Sequence, residues 1–150
     1  MPSNASTAPA AASITVTEAG RHLGRPAVAP TYLPASVASG PEIALEPGGE
    51  VYFTYYGSDR RAVLKISEST TGNASRPQTG WTVVTLRGVD VALLLEANLA
   101  RFQDGTIARH AYAEFTTQGL SITVEYFAPT SDTPEQMGAE LAAIATSMLP

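Results

Sequence analysis

The stretch HAYAEFTTQGLSITVEYF, residues 110–127, restricts the fold more than any other. Apolar and polar residues alternate on both sides of Gln118-Gly119. A two-residue loop whose second position is glycine fits the twist of an antiparallel pair. With that loop, Phe115 faces Ile122, Ala113 faces Val124 and Ala111 faces Tyr126. Side chains alternate along a strand, so these six share one face. His110, Tyr112, Glu114, Thr123 and Glu125 share the other. Small residues opposite large ones on the first face leave room for a covering helix.

That helix is written at the C-terminal end. Thr133 is a cap, Pro134 opens the first turn and Gln136 completes a capping box. Met137, Leu141, Ile144, Ala145 and Met148 then recur at helical spacing and form one apolar stripe. A shorter helix is expected near the start, capped by Thr15 or Thr17, favoured by Glu18 and ended by Gly24. Strands are expected on both sides of Gly57, Ser58 and Asp59, and of Arg87 and Gly88, with a further turn at Asp104-Gly105. A loop centred on Ser58 and Asp59 sets Phe53 against Leu64, Val51 against Ile66, Tyr52 against Lys65 and Tyr56 against Arg61.

Between the first helix and the first strand runs APTYLPASV, residues 29–37. Its prolines favour extended chain. It is expected to dock as a clip on the sheet edge, with Tyr32 and Leu33 as anchors and Leu33 contributing about 1.5–3 kcal/mol. The expected fold is therefore α+β. One curved antiparallel sheet of about six to eight strands is covered by the C-terminal helix, with the short N-terminal helix alongside. Residues 1–13 form a flexible Ala/Ser/Pro tail and residues 14–150 a single domain.

Composition narrows the function classes. The net charge is −5, and the nine basic residues are dispersed, which is no footprint for nucleic acid. There is no cysteine, so disulfides and thiolate metal sites are excluded. No apolar run approaches the ~20 residues of a membrane-spanning helix, so membrane insertion by this chain is not expected. The tail fits a tether with an initiator Met placed after a removed anchor better than it fits a native cytosolic start. Its Asn4-Ala5-Ser6, like Asn73-Ala74-Ser75, matches the glycosylation sequon by chance.

The order of parts also carries a resemblance. Residues 18–23, the YLP within 30–34, residues 51–55, GVDVALL at 88–94, residues 111–124 and the ending ELAAIATSML at 140–149 are its pieces. Across residues 14–149 the chain resembles an uncharacterised bacterial extracytoplasmic domain family. That family is found C-terminal in anti-sigma-factor-like and lipoprotein-carrier-like proteins. It often has Trp where this chain has Phe115, and Gly where it has Ala35. The resemblance implies this fold and an envelope or secreted location. It supplies no catalytic residues.

Three functional readings follow. The first is a non-enzymatic binding or sensor module of the cell envelope. Its site is a sheet face carrying Tyr52, Tyr56, Arg61 and Lys65, where aromatic rings alternate with cations and suit a protein or small ligand. The second is a structural subunit that self-assembles through residues 1–20, where ASITVTEA offers an alternating run for strand donation. The third is a small α+β enzyme using His110, Tyr112 and Glu114, since a carboxylate beside an imidazole tunes proton transfer. No cofactor or metal is expected. His22 and His110 lack partners at ligand spacing, and no nucleotide or nucleophile motif occurs.

Overall fold

The computed structural model describes residues 13–71, 80–95 and 99–150. Both sequons and residues 1–12 of the tail lie outside these. The elements are α1 (Val16–Leu23), β1 (Ser39–Leu45), β2 (Val51–Tyr56), β3 (Ala62–Ser69), β4 (Thr82–Leu86), β5 (Val89–Leu94), β6 (Ala100–Arg101), β7 (Ile107–Thr117), β8 (Leu120–Ala128) and α2 (Pro134–Met148). The strands form one open, antiparallel, eight-stranded sheet in the order β1-β2-β3-β8-β7-β5-β4, with β6 paired to β7. This is the expected α+β architecture. The chain builds β1 to β3, crosses to the far edge for β4 and β5, and finishes with β7 and β8, which close the middle.

The β7–β8 hairpin has the expected register. Phe115 pairs with Ile122, Ala113 with Val124 and Ala111 with Tyr126. Gln118 and Gly119 both have positive φ, 52° and 78°, as the tight turn requires. The same device joins β4 to β5 at Arg87 and Gly88, φ 48° and 80°.

The β2–β3 register differs from expectation. Phe53 pairs with Ile66, Tyr52 with Ser67, Thr54 with Lys65 and Tyr56 with Ala62. Two local events cause this. The Gly57 N–H bonds the Arg61 carbonyl, so the loop holds residues 58–60, with Arg60 at φ 69°. A bulge then shifts the ladder between Tyr55 and Tyr56. Together they slide β3 by two residues. An even slip changes every partner and leaves every side chain on its expected face.

Helices cover one face only. Both helices carry complete capping boxes, Thr15 with Glu18 and Thr133 with Gln136. Along α2, Met137, Leu141, Ile144, Ala145 and Met148 are all buried, against a sheet floor that includes Phe53, Leu64, Ile66, Phe115, Ile122 and Val124. α1 buries Ala19 and Leu23, and Gly24 ends it in the left-handed conformation. Of the run ASITVTEA, residues 16–19 are helical: Thr15 caps and Val16 begins α1, while the Ile14 N–H bonds the Ile43 carbonyl.

The proline-rich segment docks differently from expectation. Its prolines are buried and its large side chains are not: Tyr32 is 38% and Leu33 37% exposed, while Pro30 and Pro34 are buried. It is fastened to α2, not to a sheet edge. The Thr31 N–H bonds Ser147 Oγ at 3.1 Å, and the Tyr32 hydroxyl donates to Glu140 Oε1 at 2.7 Å. Rigid proline rings lose little entropy on burial and fill the seam, so Leu33 adds far less than expected. Leu141→Ala should accordingly cost about 2–5 kcal/mol in urea unfolding, and Leu33→Ala less than about 1. Equal losses at the two positions would contradict this packing.

Candidate functional site

Among the described residues, no helix lies on the opposite face of the sheet, and its side chains line up in rows set by the registers. One row runs Thr54, Lys65, Glu125, Tyr112, Leu94. The next runs Tyr52, Ser67, Thr123, Glu114, Ala92, Val83. Most of these are half-buried, so the face is densely occupied without being covered.

Aromatic rings form a continuous line across it. Trp81 lies 6.3 Å from Tyr112, Tyr112 4.5 Å from His110, and His110 stacks on Phe127 at 4.6 Å, centroid to centroid. Phe127 is 5.8 Å from Phe102, and the Arg61 guanidinium lies 5.6 Å from the Phe102 ring centroid. Such pairs add roughly 0.5–1.5 kcal/mol each beyond area burial. His110 is held on both nitrogens: Nε2 is 2.8 Å from Glu125 Oε2, and Nδ1 is 3.4 Å from the Tyr112 hydroxyl. Burial raises the Tyr112 phenol above its ordinary range, with Glu125 and Glu114 adding to it, so the phenol stays neutral.

Two hollows flank this line. At the hairpin tips a cavity of about 260 Å3 is walled by Phe102, Phe127, Val63 and Ile107, with Arg61 at its lip. Arg61 bonds Asp59 and Thr106 and lies 3.6 Å from Asp104, so it clips the β2–β3 turn to the β6–β7 turn. At the other side a groove of about 540 Å3 runs over Ala92, between Val83 and Glu114, with Asp90 and Thr116 at one end. Among the described residues, none that lines it is basic. Burial raises the Glu114 carboxyl above its usual range, and among the described residues no cation pairs with it.

The residues expected to bind a partner do not form one patch. Tyr52 and Lys65 lie together, the ammonium 5.9 Å from the ring centroid, although they are diagonal and not directly opposed. The Tyr52 hydroxyl bonds Glu50 and the Tyr56 hydroxyl bonds Glu42, the latter phenol pushed up to about 12, chiefly by burial. Arg61 is separated from Tyr56 by the longer loop and turns to the β6–β7 tip. The polar set His110, Tyr112, Glu114 and Glu125 does share a face as expected, but Glu114 stands apart from the histidine pair. Trp81 is expected from its place before a strand to be a core or rim residue and is half-buried at the end of the ring line, whereas nothing in the sequence expectations marks Phe102 or Phe127. An aromatic at Phe127, in phase with Glu125 and Thr123, was the available signal.

Among the described residues, no group of three or more His, Asp or Glu could hold a metal ion, and no helix is long and apolar enough to cross a membrane. No protein-family model, curated protein or solved structure matches the chain. A double-mutant cycle with Tyr52→Leu and Lys65→Met should give a coupling of about 0.2–1 kcal/mol, as for an ordinary cross-strand pair. A coupling above about 2 kcal/mol would mark these two as a stronger unit than the geometry supports.

Proposed function

We propose that this chain is a non-enzymatic binding module of the bacterial cell envelope that offers its helix-free sheet face to a protein partner rich in basic side chains. One observation carries the reading. The uncovered face combines a line of half-buried rings with an open groove whose half-buried carboxylate, Glu114, has no cation paired with it among the described residues. Rings and carboxylates together favour an ammonium or guanidinium group, through cation–π attraction and charge-assisted hydrogen bonds. The overall charge of −5 steers such a partner inward. An extended segment suits the groove, because it runs along the strands and Ala92 leaves depth for alternate side chains. The non-enzymatic reading is supported by the sequence, which carries no nucleotide or nucleophile motif. The envelope location is supported by the family resemblance across residues 14–149.

Trp81 is the single tryptophan and stands at the end of the ring line, so its fluorescence reports on the face. Titration with a synthetic peptide of alternating lysine and threonine should give a saturable change. A serine–threonine peptide should give none. Glu114→Gln should weaken binding by about tenfold, the loss of one charge-assisted contact. Absence of saturation, or an affinity unchanged by Glu114→Gln, would overturn the proposal.

A further inference from the structure

On the helix-covered face, one core position is occupied by a carboxyl group. Leu64, Ile66 and Glu68 alternate inward along β3, and Glu68 sits between Val51 of β2 and Ile122 of β8. It is 0% exposed. Oε1 accepts the Val28 N–H at 2.9 Å, and Oε2 has no hydrogen-bond partner among the described residues. Val28 belongs to the segment between α1 and β1, so the one contact made by this carboxyl fastens that segment over the sheet.

We infer that Glu68 is a proton-operated latch: protonated, it holds residues 25–29 down on the sheet, and ionised, it favours their local release. The surroundings give the reason. Around the carboxyl, β2 contributes its register partner Val51 and, within electrostatic reach, the Tyr55 phenol, and β8 contributes Ile122 with Leu120 and Val124 two residues to either side, none of them cationic. From the segment itself, Arg25 turns its guanidinium to the Gln118 carbonyl, 3.0 Å away. On α1, Glu18, Arg21 and His22 are exposed, and on α2 Glu140 is taken by Tyr32. Among the described residues, an ionised carboxylate there has one hydrogen bond and no counter-charge, which is costly in an apolar interior. Release of residues 25–29 admits water to it. The outer fastenings at Thr31 and Tyr32 are hydrogen bonds to Ser147 and Glu140 on α2 and do not involve Glu68, so the device is confined to the inner turn of the segment.

The direction with pH follows. Burial pushes the Glu68 carboxyl up to about 7, against the smaller opposite pull of the Val28 N–H, while the exposed group titrates near 4.5. The closed form therefore binds the proton more tightly. Its advantage is complete below about 4.5, shrinks about tenfold per pH unit as pH rises, and levels off above about 7.

The test is amide hydrogen exchange by NMR on the full chain between pH 5 and pH 8, corrected for intrinsic rates. The opening constant at Val28 should rise roughly 70-fold over that range. At pH 8 it should exceed that of Ile122, which exchanges through larger unfolding, by at least about tenfold. In Glu68→Gln, which keeps an acceptor for Val28, the rise should vanish. Exchange at Val28 that matches Ile122 at every pH, or that does not change with pH, would overturn the latch. If the variant fails to fold, the side-chain carbonyl shift of Glu68 in the native chain decides. A titration midpoint near 7 supports the latch, and one near 4.5 overturns it.

Discussion

The two-residue turn at Gln118-Gly119 is the constraint on which the rest of the molecule depends. It fixes the parity of the longest hairpin, and parity decides what each side of the sheet becomes. With this turn, Ala111, Ala113 and Phe115 point to α2, and His110, Tyr112 and Glu114 point away from it. A loop longer by one residue would exchange these sets. It would bury an imidazole and a carboxylate under α2 and expose a phenylalanine.

Because β8 then pairs with β3, the same parity passes to the N-terminal half of the sheet. It brings Lys65 into line with Glu125 and Glu68 into line with Ile122. The two halves respond to that placement in opposite ways. Lys65 lies on the open face among polar neighbours, where charge is solvated. Glu68 lies on the closed face, where its one hydrogen bond among the described residues is to the backbone of a proline-braced segment. The exposed large side chains of that segment fit this picture, since its attachment depends on backbone donors and buried proline rings more than on Tyr32 and Leu33.

Much of this was legible in the sequence. Thr133-Pro134 with Gln136, Gln118-Gly119 and the α2 stripe are local signals, and local signals survive into the fold because nothing tertiary competes with them. The β2–β3 pairing was not legible, because a positive φ at Arg60 and a bulge leave no residue signature comparable to glycine. The docking of residues 29–37 was misjudged because side-chain size was taken as the guide to burial. Glu68 was readable as a charged residue at an inward position after Leu64 and Ile66, but its unmet oxygen depends on what the segment supplies in space. The ring line needed the sheet order, which brings Phe102, Phe127, His110, Tyr112 and Trp81 together from separate elements.

The account depends on a sheet with one sealed face and one open face. Solvent paramagnetic relaxation by a soluble gadolinium chelate measures this directly on assigned side-chain protons. The ring protons of His110, Tyr112 and Trp81 should relax strongly, and those of Phe115, with the methyls of Ile122 and Leu141, should be untouched. Comparable relaxation of Phe115 and Tyr112, or protection of all the rings on the open face, would contradict it.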